Sequence, residues 1–285
     1  YLQKDAPSNF RTAPIVVASA PTSLLIRSNN VCKVIKGEIH NVLNVMRADP
    51  RCASPLRFME EMPSDEQHPL FLRFRELHRS MTEWELKHHQ SRQPEARMYL
   101  PPFCVAIQSR DISAKVTGAA LESLQKFLLY GFLSNEGPNA FTTIANTLLL
   151  CTFEESSSLA NHDGDREDSS RGLGGGRQGR NSTEHPYSGR GDDEQVVLRL
   201  LDLSALVVRS ASIELKPDVV VGLLDICLHV SHRAKRASPL LKSAASDAMK
   251  QIVLEIFSKP NLARKREDIL AKLASLLNQI GRAHV

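Results

Sequence analysis

Aromatic residues are only 5% of this 285-residue chain, with a single tryptophan, and the apolar content is carried by Leu, Val, Ala and Ile. That balance favours helices packed on helices, and the length is sufficient for one good core or two small ones. Cysteines are few, odd in number and widely spaced (Cys32, Cys52, Cys104, Cys151, Cys227), with no Cys-x-x-Cys pair. A reduced, cytosolic setting is expected, and a disulfide framework or zinc ribbon is not. No long apolar run occurs. The best stretch, Val196 to Val208, is interrupted by Arg199 and Asp202 and falls short of the ~20 residues a membrane span needs. A large excess of one charge is missing too. With 36 basic and 32 acidic residues the net charge is +4, too small by itself to imply nucleic acid or a membrane surface.

Catalytic patterns are also absent: there is no Gly-x-Ser-x-Gly and no His-Glu-x-x-His. Gly172-Leu-Gly-Gly-Gly-Arg-Gln-Gly-Arg180 resembles a phosphate loop only superficially, because it lacks the Gly-Lys-Ser/Thr end and a preceding strand. His88-His89, His162 and His185 have no ligand partners at helical spacing, so solvated histidines are expected rather than a metal site. Glu60-Glu61 and Asp192-Asp193-Glu194 are paired carboxylates, the second set placed where a helix start favours negative charge. Asn181-Ser-Thr183 matches a glycosylation sequon that matters only in a secreted chain. No cofactor is expected and nothing points to catalysis.

What is present is helical periodicity. Residues 1–29, with Pro7, Pro14 and Pro21, read as a disordered leader; the apolar patch Ile15 to Ala20 lacks the basic run of a targeting segment. From Val31 the residues Val31, Val34, Ile35, Ile39, Val42, Leu43 and Met46 share one face, with Asn30 as the expected N-cap. A second helix is expected from Pro69 to Lys87, with Leu70, Phe71, Phe74, Leu77, Met81 and Trp84 inward. A third starts at Pro101-Pro102 and buries Phe103, Val105 and Ile107. After the turn Ser109 to Ser113 a fourth runs to Leu133, where Gly118 invites close approach and Gly131 loosens the end. A fifth spans Pro138 to Phe153.

Residues 154–192 then change character, with Gly, Ser, Asp and Arg and almost no large apolar side chains, and read as a disordered insert. Its arginines are largely offset by Asp163, Asp165, Glu167, Asp168, Asp192 and Asp193, so a linker is expected in preference to an RNA-binding Arg-Gly segment. Helices resume over Asp192 to Ser210, Pro217 to His232, Ser238 to Ser258 and about Asn261 to Gln279. The expected fold class is all-α, an α-solenoid of armadillo or HEAT type, with helical halves at 30–153 and 193–259 and an extra helix in 260–285. The last six residues, Ile280-Gly-Arg-Ala-His-Val285, back-translate readily into the start of a sequencing-library adapter, which predicts a truncated transcript.

Tyr99 to Leu133, with its Pro-Phe pair, Ser-x-Asp turn, Thr-Gly-x-Ala-Leu helix start and Lys-Phe-Leu-x-Tyr-Gly end, resembles the N-terminal regulatory region of the large Sec7-family Arf guanine-nucleotide exchange factors. Further matches follow in order: Ile35-Lys-Gly-Glu-Ile39, Pro69 to Leu77, Asp193 to Leu198 and Ser238 to Ala248. Ser113-Ala-Lys115 stands where the family usually has Thr-Gly-Pro. The resemblance implies a dimerisation and cyclophilin-binding (DCB) domain of the brefeldin-A-resistance factor/GNOM-like branch. Such a domain does not catalyse exchange, because the Sec7 glutamate finger is not in it. The implied partners are a second copy (homodimer), the downstream helical regulatory domain, and small GTPases of the Arf/Arl/Rab type. The implied place is the cytoplasmic face of Golgi membranes, in vesicle-mediated transport, with no nucleic acid expected. The family's self-association residues fall on Lys126 and Glu194; read from the residues alone, these are a snorkelling lysine and a helix-start acid. The rival reading is a generic helical-repeat adaptor, or an RNA-associated scaffold using its Arg-Gly loop.

Overall fold

Stripes of apolar residues at helical spacing fold into nine α-helices among the described residues. The computed structural model describes residues 28–49, 51–52, 68–88, 93–133, 136, 138–151, 188–211, 215–233, 238–258 and 266–282, and no strand occurs among them. The helices are α1 (Ser28–Ala48), α2 (Pro69–His88), α3 (Ala96–Gln108), α4 (Ala114–Leu129), α5 (Pro138–Leu149), α6 (Ser188–Ser210), α7 (Pro217–Arg233), α8 (Pro239–Ser258) and α9 (Arg266–Arg282).

They stack in two layers. One layer runs α1, α4, α6, α8, each packed on the next; the other runs α2, α3, α5, α7, α9 in the same way. The pairs α1–α2, α3–α4, α5–α6 and α7–α8 join the layers. This stack of helical hairpins is the expected α-solenoid, because each two-helix unit exposes an apolar face that only its neighbour covers. The anticipated stripes are the core. Ile35, Ile39, Val42 and Met46 of α1, and Val116, Ala120, Leu124 and Phe127 of α4, are fully buried.

Four aromatic rings cross the first two hairpins edge to face. Phe74 meets Phe103 at 5.1 Å, Phe103 meets Phe127 at 5.3 Å, and Phe127 meets Tyr99 at 5.2 Å. The few aromatics are thus concentrated at one place, where such pairs add ~1 kcal/mol beyond their buried area.

Several boundaries differ from the sequence reading. Helix α1 begins at Ser28, so Asn30 lies inside it rather than at its cap. Helix α3 begins at Ala96, five residues before the prolines, and carries Pro101 and Pro102 internally. Its buried face is therefore Tyr99, Leu100, Phe103, Cys104, Ala106 and Ile107, while Val105 is only half-buried. The prolines are tolerated because they lie on the outer side of the helix, where the carbonyls of Arg97 and Met98 forgo their i+4 donors. Helix α6 begins at Ser188, so residues 188–192 are helical rather than the end of an insert; residues 154–187 lie outside the described residues, as do 1–27, His89, Glu60 and Glu61.

The end of α4 explains the glycine there. Gly131 has φ 70°, its N–H donates to Leu128 O at 3.1 Å, and the Phe132 N–H donates to Phe127 O at 3.0 Å. This is a Schellman cap, in which a left-handed residue closes the last turn. The Phe132 ring stacks on Phe127 at 5.9 Å, the apolar contact that such a cap brings with it.

Candidate functional site

Helix α4 holds the candidate site, since it touches α1, α3 and α6 at once. Its Lys126 points at α1. The Nζ atom lies 2.9 Å and 3.2 Å from the two carboxylate oxygens of Glu38, and 3.1 Å from Glu122 Oε1 one turn back on α4. Arg199 of α6 closes the network from the other side, 2.7 Å from Glu122 Oε2 and donating to the Gly118 carbonyl at 2.7 Å. Four charges from three helices thus alternate in sign. Ser123 Oγ lies 3.0 Å from Glu38 Oε2, giving the buried carboxylate a second neighbour. Burial acts to lower the Lys126 pKa, but hydrogen bonds and charge from Glu38 and Glu122 outweigh it and hold the pKa above its ordinary value. Burial acts to raise Glu122, and Lys126 and Arg199 reverse that, leaving it below the usual carboxylate range.

Gly118 is what lets α6 come this close. A Cβ there would sit 3.3 Å from Val196 Cγ2 and 3.5 Å from the Arg199 guanidinium. Glu194 is two residues before Val196 and is half-buried. Val196 lies beside Gly118, and Lys126 is eight residues further along α4, a rise of ~12 Å. The structure therefore does not bring Lys126 and Glu194 together within one chain. Lys126 instead lies one turn before an exposed apolar pair, Leu129 (57% exposed) and Tyr130 (45% exposed).

A second junction ties α1 to the start of α4. Asp49, 6% exposed, follows α1 directly. Its Oδ1 accepts the Arg51 N–H at 3.0 Å and its Oδ2 accepts the Ser113 N–H at 3.2 Å. Ser113 is the N-cap of α4 but makes no side-chain cap bond. The free N–H of Ser113 is satisfied instead by Asp49, just past the end of α1 and 64 residues away in sequence. Burial alone would raise the Asp49 pKa; the donors from Arg51, Ser113 and Cys52 outweigh it, so the carboxyl sits below its ordinary value.

The seam between α1 and α2 carries a Lys36–Glu85 ion pair and an edge-to-face His40–His78 contact at 4.6 Å. Burial, then the neighbouring His40 and Lys36, push the His78 pKa down. His88 stacks on Trp84 with ring centroids 3.9 Å apart.

All five cysteines are free thiols, and burial pushes Cys151 and Cys227 up to about 12. Burial with the nearby Asp49 carboxylate raises Cys52 to about 12 as well. Such thiols are protonated at neutral pH and poor nucleophiles. Among the described residues no group of three His, Cys, Asp or Glu side chains could hold a metal, and no helix is long and apolar enough to cross a membrane.

Sequence reasoning missed Glu38, Glu122, Arg199 and Asp49. Two of them carried a signal. Glu38 sits three residues after Ile35 and four before Val42, inside the buried stripe of α1, and Arg199 interrupts the apolar face of α6. A charge on an apolar face asks for a partner across the interface.

No family model matches the chain. It is similar to two curated proteins of Arabidopsis thaliana. ARF guanine-nucleotide exchange factor GNL1 is 26% identical over 235 residues, 80% of this chain and 14% of that protein. ARF guanine-nucleotide exchange factor GNOM is 25% identical over 250 residues, 85% of this chain and again 14% of that protein. The match therefore covers about one-seventh of these relatives' length. By this similarity the chain is related to a segment of the GNOM-like Arf guanine-nucleotide exchange factors.

Proposed function

We propose that this chain is a non-catalytic regulatory segment of an Arf guanine-nucleotide exchange factor, of the DCB kind, which acts through self-association. The observation that carries this reading is the pairing of coverage figures. The similarity takes in 80–85% of this chain and only 14% of the exchange factors, and the matched part is a stack of helices whose charges serve packing. Such a stack offers broad side surfaces for docking. In this reading the segment pairs with a second copy, contacts a downstream helical domain of the same protein, and helps bring the exchange factor to Golgi membranes together with small GTPases of the Arf, Arl or Rab type.

The self-association surface is proposed to be the end of α4 that exposes Leu129 and Tyr130, with Lys126 beside it; Glu194, at the other end of the α4–α6 seam, takes part only as a residue of the second copy. Apolar side chains ringed by charge are what a modest protein interface needs. The test is light scattering coupled to gel filtration on the 285-residue chain. The reading expects a dimer, and a monomer after Leu129→Asp with Tyr130→Asp. A wild-type chain that stays monomeric across concentrations rejects self-association. A dimer that survives both this variant and Lys126→Ala with Glu194→Ala rejects the surface.

A further inference from the structure

On the outer side of the second layer, α2 and α3 leave between them an open groove of about 880 Å³. Its wall from α2 carries Leu72, Arg73, Arg75, Glu76 and Arg79; its wall from α3 carries Met98, Pro101 and Pro102. Two properties coincide there. The floor is apolar, through Leu72, Met98 and the two proline rings. The charge is one-sided, with three guanidinium groups against one carboxylate. Glu76 pairs with Arg79 at 2.7 Å, but both side chains are more than half exposed. A pair so exposed to water is weakened by solvent screening and exchanges readily for another carboxylate.

We propose that this groove is a docking site for an acidic amphipathic helix of a partner protein. Apolar residues of that helix lie over Leu72, Met98, Pro101 and Pro102, and carboxylates on its flank meet Arg73 and Arg79. Helix-in-groove recognition needs a furrow between two helices with apolar anchors along it, and the basic wall chooses the sign of the partner's charge. A concave furrow with a carboxylate within it suits a helix better than the plane of a membrane. The site is on the layer opposite to α4 and does not depend on self-association.

Fluorescence anisotropy on the full chain tests it, with a labelled helical peptide carrying leucines at heptad spacing and glutamates beside them. The controls are the same peptide with lysines for glutamates, and phosphatidylcholine vesicles containing phosphatidylserine. The glutamate peptide is expected to bind saturably and more weakly as salt rises. Arg73→Glu with Arg79→Glu should weaken it by about tenfold or more, and Leu72→Ser should weaken it at low and high salt alike. All three positions are exposed, so an unchanged melting temperature separates lost binding from lost fold. Equal binding of the lysine peptide, wild-type affinity in both variants, or binding of vesicles without binding of peptide each overturns the proposal.

Discussion

Lys126 Nζ on α4 lies 2.9 Å from Glu38 Oε1 on α1, and the carboxylate it meets is almost buried, with its side chain 11% exposed. The residue that resemblance marks for an intermolecular contact is thus already engaged inside its own chain. Removing the ammonium leaves Glu38 buried beside only a hydroxyl. Breaking a fully buried pair costs ~3–5 kcal/mol, and the partial exposure of Lys126 lowers this to about 1–3 kcal/mol for Lys126→Ala. Urea denaturation checks it. Glu38→Gln, which keeps the shape and removes the charge, should cost less. If Lys126→Ala disrupts the dimer and Glu38→Gln does not, the lysine acts across the interface as well as within the chain.

Asp49 should make stability depend on acid. Its folded pKa lies below the unfolded value of ~4, so its contribution is fully present above that value and is lost as pH falls through the folded pKa. Asp49→Ala removes the acceptor of the Ser113 N–H and should cost ~1–2 kcal/mol at neutral pH. The gap between wild type and variant should narrow below pH ~4. Melting curves across that range decide it, and a gap independent of pH rules out the carboxylate as the cause.

Phe127 joins three rings and the Schellman cap, so its loss should be among the most costly in the first two hairpins. Phe127→Ala is expected to destabilise by ~3–5 kcal/mol, whereas Phe127→Leu should cost markedly less. Chemical denaturation of the two variants distinguishes loss of volume from loss of ring geometry.

Two helical glycines should respond differently to the same change. Nothing lies within 4 Å of a Cβ added at Gly37, so Gly37→Ala should stabilise α1 by ~0.5–1 kcal/mol. At Gly222 the new Cβ would stand 2.7 Å from Leu149 Cδ2 and 3.2 Å from Cδ1. The atoms met belong to the half-buried Leu149 side chain alone, so Gly222→Ala should force that side chain to another rotamer at ~0.5–1.5 kcal/mol, which offsets the gain in helix propensity. Thermal melts of both variants test the pair.

Most of the fold was legible because helix formation and burial are periodic. The stripe Ile35, Ile39, Val42, Met46 declares both a helix and its inner face. Boundaries were less legible. Pro101 and Pro102 mark a helix start in the local grammar of sequence, but α3 carries them on its outer side because Tyr99 and Phe103 anchor it on both sides of the prolines. Lys126 was legible as a residue of interest, through resemblance. Its partners were not, because Glu38 is 88 positions away and Arg199 belongs to α6, beyond residues 154–187.

The sequence by itself determined that the chain is helical, which faces are apolar, and that no recognised catalytic motif is present, because these follow from residue type and spacing along the chain. Tertiary structure decided which charges meet. It set Lys126 between Glu38 and Glu122, let Asp49 accept the N–H of Ser113 64 residues later, and aligned Arg73 and Arg79 with Pro101 and Pro102 along one groove. Pairing energies fall off over a few ångströms, and only the packing of α1, α2, α3, α4 and α6 brings residues so distant in sequence within that range.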